Sequence, residues 1–506
     1  MARISCIFLA AFVSVRIWSS PLTAAEPGRV DVEVREKGQL VPCRIHLYDA
    51  EGKTPKIPRW PAWNDHIVCD AGAQLEIPAG EYRYEIERGP EFTSVSGKLT
   101  VAAGTPTKIA ADIARIADLK SEGWWSGELH VHRPVDDVPL LMKSEDLHVS
   151  PVITWWNKRN VWSDRAPPAE LLVRFDGNRF YHVMGGEDER EGGALLYFGL
   201  VAPIAIADAD REYPSPMRFL DQARRHAGVH VDIEKPFWWD VPAWLASGQV
   251  DTVGIANNHM ARSKMYPGEA WGKPRDDKRL PSPAGNGYWT QELYYHILNC
   301  GLRIAPSAGS ASGVLPNPVG YNRVYVHLDG DLTHDRWFDG LRAGRSFVTN
   351  GPLLRVRAAG QYPGHVFTSP DQIEIELSGV LEGRDRVDSL EIIRDGRVEK
   401  KVPTAEFTKS GTLGKLKFTS SGWFLVRVIA DNPQTFRFAS AAPWYVEVGP
   451  VTRRVSRASA QFFRDWTDER IGRVKVADPL QKAEVLEPHY RARDYWSALV
   501  EKANAD

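Results

Sequence analysis

Alternating apolar and polar positions divide the chain into regions with different periods. Residues 26–117 contain runs such as VDVEV and KLTVAAG that alternate at period two and are separated by Gly and Pro, as in short strands. Residues 350–452 repeat this pattern in runs such as QIEIELSG and GWFLVRVIAD. We therefore predict a β-sandwich on each side of a central region. Residues 453–506 are charged and have a helical pattern.

The central region, residues 118–349, alternates strand-like and helix-like runs. The predicted strands are Ser126–Arg133, Val149–Trp155, Phe180–Gly186, Ala194–Leu200, Val229–Ile233, Asp251–Ala256, Leu302–Pro306 and Arg323–Leu328. The predicted helices are Pro139–Leu147, Pro216–Ala227, Val241–Ala246 and Tyr288–Asn299. Such alternation indicates βαβ units and a parallel sheet, and about seven or eight strands in about 220 residues favour a barrel. The predicted fold class is therefore multidomain α/β plus β.

The N-terminus has the pattern of an export signal. Arg3 supplies positive charge, residues 4–15 are mostly apolar, and the small residues 23–25 precede Glu26. An N-terminal membrane anchor is the alternative, although the apolar run is short for a bilayer crossing. We predict a signal peptide over residues 1–25, an exported protein, and no transmembrane segment in the mature chain.

The composition of the chain argues against some classes of binding partner and metal site. The 63 basic and 65 acidic side chains give a net charge of −2, which argues against nucleic acid because phosphate binding requires a basic surface. The chain has no CxxC pair, so a cysteine zinc site is not expected. Cys43 and Cys69 fall in one small predicted domain, where a disulfide could form outside the cytosol. The 18 tryptophans are the unusual feature.

Polar and aromatic residues stand at the predicted strand ends. In parallel α/β folds the carboxyl ends of the strands meet at one rim, where sites form. His130 and His132 are two residues apart, so on a strand they share a face and can bind one metal ion. Glu187 offers an oxygen ligand from another strand end, and His259 offers a further imidazole. A histidine pair without a metal is the alternative.

Two segments resemble a known family. Residues 124–132, WWSGELHVH, resemble the first motif of the PHP metallohydrolase superfamily, closest to its CehA/McbA-type branch. Residues 340–352, GLRAGRSFVTNGP, are also similar to that branch. The resemblance implies a distorted (β/α)7 barrel with two or three divalent ions that hydrolyses phosphate or carboxylic esters. Separately, Ala79–Phe92 resembles the prealbumin-like accessory domains of exported bacterial enzymes.

Several ligand motifs of that family are substituted. Its Thr-Asp-His-Asn is Thr154-Trp155-Trp156-Asn157 here, and its His-Pro is Lys235-Pro236. Its closing Ser-Asp-x-His appears as residues 310–313, SASG, without either ligand. The ligands that carry over are His130, His132 and Glu187. The sequence therefore predicts a reduced site with one divalent ion, zinc or manganese, and the alternative is a site that has lost its metal.

Three hypotheses follow for the function. The first is an ester or phosphoester hydrolase whose metal ligands and catalytic residues are His130, His132, Glu187, His259, Lys235 and Glu234. The second is a non-catalytic protein whose small-molecule or glycan ligand is bound by Trp155, Trp156, Asn157, Arg190, Trp238 and Asn257. Tryptophan faces suit sugar rings, but tryptophan pairs also serve as core packing. The third is metal-free acid/base chemistry by carboxylates, as in glycosidases.

Overall fold

The computed structural model describes residues 27–506, so the predicted export signal lies outside the described residues. The first part is built from strands alone. They are β1 (Pro27–Glu36), β2 (Gln39–Leu40), β3 (Cys43–Tyr48), β4 (Ala62–Trp63), β5 (His66–Cys69), β6 (Gln74–Pro78), β7 (Gly80–Glu87), β8 (Val95–Val101) and β9 (Thr107–Asp112). β1 pairs with β2, β6 and β9, and the second sheet has the order β4-β5-β3-β7-β8.

The period-two pattern of this part explains its core. Along β1 the residues Val30, Val32 and Val34 are buried and their neighbours are more exposed. These valines pack with apolar residues of both sheets in one cluster. Cys43 and Cys69 are paired directly across β3 and β5, and both are buried free thiols. We call residues 27–112 the N-terminal β domain.

The central part mixes strands and helices. Its elements are β10 (Trp124–Gly127), α1 (Val138–Ser144), β11 (Val149–Trp156), β12 (Arg159–Asn160), β13 (Leu172–Phe175), β14 (Arg179–Arg190), β15 (Gly193–Phe198), α2 (Pro216–Ala223), β16 (His230–Ile233), α3 (Val241–Ser247), β17 (Thr252–Ala256), α4 (Gly285–Asn299), β18 (Ala305–Ala308), β19 (Arg323–His327), α5 (His334–Arg342) and β20 (Ser346–Thr349). Two short 3₁₀ helices lie at Leu119–Glu122 and Val135–Asp137.

The predicted parallel sheet is correct only in part. β10, β11 and β14 are parallel neighbours, as are β16, β17 and β18. β15 is antiparallel to both β14 and β16. The reason is the link of Glu191 and Gly192 between β14 and β15, because two residues can close a hairpin but cannot make a parallel crossover.

The predicted strand Ser126–Arg133 ends early, at Gly127. The chain that follows still lies between two neighbours. Leu129 N donates to Ala308 O at 3.0 Å, and the next residues along hydrogen-bond to β11 and to the chain after β18. The segment carrying both histidines is therefore held on two sides, although it leaves the regular ladder.

The third part returns to strands and ends in helices. Its elements are β21 (Leu353–Ala358), β22 (Val366–Ser369), β23 (Ile373–Glu382), β24 (Val387–Arg394), β25 (Arg397–Pro403), α6 (Thr404–Ser410), β26 (Thr412–Phe418), β27 (Gly422–Ala430), β28 (Phe438–Ala441), β29 (Trp444–Val448), α7 (Arg457–Arg473) and α8 (Pro479–Glu501). β28 pairs with β20, so the sheet continues from the central part into this one.

The two terminal helices pack against the central part. Trp496 on α8 is completely buried, and its Nε1 donates to Pro242 O at 3.1 Å on α3. Arg470 on α7 pairs with the buried Asp240, with Nε 2.6 Å from Oδ1. None of the helices within residues 27–506 combines the length and apolarity that a membrane crossing requires.

Candidate metal centre

Three side chains predicted as ligands converge in the central part. His130 Nε2 and His132 Nε2 are 3.0 Å apart. Glu187 Oε2 lies 3.2 Å from His132 Nε2 and 3.6 Å from His130 Nε2. All three side chains are largely buried, with at most 9% of each exposed. Two elements supply them, because Glu187 stands on β14 and the histidines follow β10.

Glycines make room for the two imidazoles. A Cβ at Gly309 would overlap the Cβ of His130, and a Cβ at Gly313 would press on the backbone and Cβ of His132. Gly313 also has a φ of +100°, a backbone conformation that favours glycine. Both glycines follow β18, so the chain after this strand forms the back of the site.

Glu234, at the end of β16, orients His130 from behind. Its Oε1 lies 3.3 Å from His130 Nδ1, on the side of the ring opposite Glu187. Asn258 Nδ2 donates to the same Oε1 at 2.9 Å, and Trp238 Nε1 donates to Oε2 at 2.9 Å. A carboxylate at Nδ1 keeps the proton there and leaves Nε2 as the free lone pair, which is the usual support of metal-binding histidines.

The charges of the group are mutually dependent. Burial would lower the pKa of His130, but Glu187 and Glu234 outweigh it and raise the pKa to about 10. Burial lowers the pKa of His132, which lies beside the cationic His130. Burial would raise the pKa of Glu187, but the two imidazoles bring it well below its usual range. Without an ion, the group therefore holds a proton where a metal cation would bring positive charge.

The residues fit a divalent ion. Ligands about 2.1 Å from a tetrahedral zinc ion lie about 3.4 Å from one another, and the three observed spacings are 3.0, 3.2 and 3.6 Å. Glu187 Oε2 is buried and has no hydrogen bond of acceptable geometry within residues 27–506. Two imidazoles and one carboxylate are also a donor set that zinc and manganese accept.

A second group of similar composition lies in the N-terminal β domain. His46, Asp65 and His66 also bring ligand atoms close together. However, His46 Nε2 accepts a hydrogen bond from Arg44 Nε at 3.1 Å, and Asp65 Oδ2 accepts one from the Tyr48 hydroxyl at 2.9 Å. Two candidate ligand atoms of this group therefore already have protein donors. Glu187 Oε2 has none within residues 27–506, which favours the group at His130 as the metal site.

The fourth predicted ligand is not part of the group. His259 is buried, and its Nδ1 lies 2.9 Å from Gly268 O. Burial lowers its pKa to about 3. Asn257, predicted to bind substrate, is also buried; its Oδ1 accepts from His259 N at 3.1 Å and its Nδ2 points to Gly254 O. This segment is therefore a hydrogen-bonded turn that is held by its own backbone and side chains.

Lys235, Trp238 and Trp155 are enclosed by protein. Lys235 Nζ donates to Glu234 and lies 4.6 Å from the centre of the Trp238 ring. Trp238 is 0% exposed and Trp155 is 2% exposed, and Trp155 stacks on Tyr197. These two tryptophans are core side chains. Lys235 is 3% exposed, and its positive charge balances Glu234.

The remaining predicted residues line a pocket of about 410 Å³ beside the group. Trp156 is partly exposed there, and its ring lies 5.2 Å from that of His132. Asn157 Nδ2 donates to Glu189 O at 2.6 Å. Arg190 also lines the pocket but is bound to Asp188 at 2.5 Å. Burial and nearby carboxylates raise the pKa of Glu189 to about 7.

A second opening reaches the group from the N-terminal β domain. A cleft of about 450 Å³ is lined by His132 and Arg133 on one side and by Trp60 and Trp63 on the other. The sequence did not predict these tryptophans as site residues, because they belong to a segment about 70 residues away from the histidines. Only the charge of Arg133 beside His132 could have indicated the cleft.

We compared the chain with protein-family models, curated proteins and solved structures, and none of them matches.

Proposed function

We propose that this protein is an exported hydrolase of ester or phosphoester bonds that uses one divalent ion held by His130, His132 and Glu187. The observation that carries the proposal is the convergence of three buried donor atoms at spacings of 3.0–3.6 Å. The carboxylate of Glu234 behind His130 supports it, because metal-binding histidines usually have a carboxylate or carbonyl at the other ring nitrogen.

We further propose that the central part is a barrel of the PHP type. The backbone bond from Leu129 to Ala308 supports this, because it joins the chain after β10 to the end of β18. The proposed ligands follow β10 and lie on β14, near the ends of two strands of the central part. In barrels of this kind the catalytic groups lie at the carboxyl ends of the strands.

His130, His132 and Glu187 would hold the divalent ion, which would supply Lewis acidity and an activated water for hydrolysis. The chain provides the remaining requirements. Glu234 keeps the proton of His130 on Nδ1, and the three donor side chains are largely buried, which limits their contact with bulk water. His132 lines the cleft of about 450 Å³, a size that suits a small-molecule ester.

The test is hydrolysis by protein that has been freed of metal and then reloaded. We expect zinc or manganese to restore cleavage of p-nitrophenyl phosphate or p-nitrophenyl butyrate, and we expect Glu187→Gln to abolish it. Glu484→Gln, an exposed carboxylate on α8, is the matched control and should retain the activity. Cleavage that survives Glu187→Gln, or a complete lack of cleavage across phosphate and carboxylic esters, would contradict the proposal.

Carbohydrate binding without catalysis is the second candidate. Trp156 favours it, because its partly exposed ring lines a pocket together with Asn157 and Glu189. Aromatic faces beside polar groups suit sugar rings. Binding to a glycan panel, measured by calorimetry and lost in Trp156→Ala, would support this candidate. The absence of binding to any glycan would remove it.

A further inference from the structure

The cleft beside His132 is built by two parts of the chain. The N-terminal β domain supplies Trp60 and Trp63 from the loop around β4. The central part supplies His132 and Arg133, which follow β10. A ligand in this cleft would therefore touch a candidate metal ligand and a separate domain at the same time.

Arg133 is a buried cation whose hydrogen bonds are incomplete. Its side chain is 3% exposed, and its Nη2 donates to Ala62 O at 3.1 Å. Asp137, which also lines the cleft, forms an ion pair with Nη2 at 3.7 Å, a distance that leaves the guanidinium without a carboxylate hydrogen bond. Within residues 27–506, Nη1 is buried and has no acceptor. A buried guanidinium with a free N–H is a natural partner for an oxyanion.

The two indole rings are fixed by their own N–H groups. Trp63 Nε1 donates to Leu315 O at 2.7 Å, and Trp60 Nε1 donates to Gln74 O at 2.9 Å. The guanidinium of Arg133 lies 5.7 Å from the centre of the Trp63 ring. Both tryptophans are partly exposed and line the cleft, and their N–H groups are already used by the protein, so their apolar ring surface is what they offer a ligand.

Buried ion pairs hold the two walls in place. Arg44 of the N-terminal β domain pairs with Glu145 of the central part and with Glu87 of its own domain. Arg262 of the central part binds Glu87 at 2.9 Å. Both arginines therefore meet carboxylates across the boundary and join the N-terminal β domain to the central part.

We propose that this cleft is a substrate subsite that binds an oxyanion attached to a flat ring. Arg133 binds the oxyanion, and Trp60 and Trp63 contact the ring. The N-terminal β domain is then part of the substrate site and determines specificity. The proposal rests on the proposed function for the fate of the ligand, but binding itself does not require the metal.

The experiment is calorimetric titration of chelator-treated protein with phenyl phosphate, inorganic phosphate and benzyl alcohol. The chelator removes any metal ion that could bind phosphate. The heat of titration therefore measures binding at the subsite. We expect phenyl phosphate to bind more tightly than either of the others. Arg133→Met should lower the binding affinity for phenyl phosphate and for inorganic phosphate about tenfold or more. Trp60→Leu should lower the affinity for phenyl phosphate and leave the affinity for inorganic phosphate unchanged.

Arg386→Met is the matched control, because this exposed guanidinium pairs with Asp388 and lines neither the cleft nor the pocket beside Trp156, so its loss should leave all three affinities unchanged. If Arg133→Met does not fold, Arg133→Lys keeps the charge without the planar fork and should bind phenyl phosphate more weakly than the unaltered protein. The subsite would be overturned if the Arg133 variants bound phenyl phosphate as tightly as the unaltered protein. It would also be overturned if phenyl phosphate showed no saturable binding to the unaltered protein. Metal-dependent hydrolysis with an unchanged KM in these variants would overturn the subsite alone and leave the proposed function intact.

Discussion

Replacing Glu234 by glutamine tests how the candidate metal centre is held together. In the protein, Glu234 Oε1 faces His130 Nδ1 at 3.3 Å, and its other oxygen accepts from Trp238 and Lys235. Glutamine keeps the size and one oxygen. It removes the negative charge and replaces one acceptor by an N–H₂ donor. In the variant, the glutamine N–H₂ group therefore points at another hydrogen-bond donor, which is either His130 Nδ1–H or Trp238 Nε1–H.

The expected effect is on metal affinity. Loss of the carboxylate behind a metal-binding histidine typically costs 10–100-fold in affinity, which corresponds to about 1.4–2.7 kcal/mol. The substitution also leaves Lys235 buried without its counter-charge, so the melting temperature should fall. Competition with a chromophoric chelator measures the zinc affinity of the metal-free protein directly. Thermal unfolding, followed in parallel, shows that the variant is folded under the conditions of the titration.

Glu191→Gln is the control, because this exposed carboxylate pairs with Arg211 and has no contact with the group. It should bind zinc as the unaltered protein does. Zinc affinity that stays within twofold in a folded Glu234→Gln protein would refute the reasoning. In that case Glu234 would serve only to neutralise Lys235, and the orientation of His130 would have another source.

Three further predictions concern packing and buried charge. Gly309→Ala should cost about 1–3 kcal/mol of stability and weaken zinc binding, because the new methyl group displaces His130; urea unfolding and zinc titration measure both. Burial raises the pKa of Glu91 from 4.5 to about 7, so the native state favours its neutral form. Relative to Glu91→Gln, stability should therefore fall by up to about 3 kcal/mol as pH rises from about 4.5 to above 7, and a difference that stays constant with pH would contradict this. Arg470→Met should cost about 3–5 kcal/mol in urea unfolding, because it leaves Asp240 buried and unpaired.

Local patterns predicted the elements well where local chemistry decides them. The helix predicted at Pro216–Ala227 begins at Pro216 as predicted, where the Ser215 side chain accepts from Met217 N, but its end was predicted wrongly because it stops four residues earlier, at Ala223. The strand predicted at Arg323–Leu328 ends one residue earlier, at His327. The first residue of a helix depends on residues next to it in the sequence, such as an N-cap serine followed by proline, so it can be predicted from local pattern.

The path of the chain between elements could not be predicted in this way. Ser126–Arg133 alternates like a strand, yet the ladder ends at Gly127. Beyond it, Glu128 turns inwards and accepts from Ser310 N at 2.5 Å, a residue far along the chain. Period two still brought His130 and His132 together, because the segment stays extended.

Residue type alone did not separate ligand positions from core positions. Trp155 and Trp156 are consecutive, but Trp155 is buried against Tyr197 and Trp156 reaches a pocket. Glu187 was predicted from its position at a strand end, and the structure brings it to the histidines. The support from Glu234 and the nearness of Trp63 depend on tertiary packing between distant segments, which no local pattern encodes.

The metal content of the purified chain tests the central claim most directly. The protein should be equilibrated with zinc or manganese and separated from unbound ions by gel filtration. Its metal content is then measured by elemental mass spectrometry. We predict one ion per chain, and none in the double variant His130→Ala/His132→Ala. A parallel His46→Ala protein should keep its ion. Protein that holds no stoichiometric metal, or a double variant that retains it, would contradict the account.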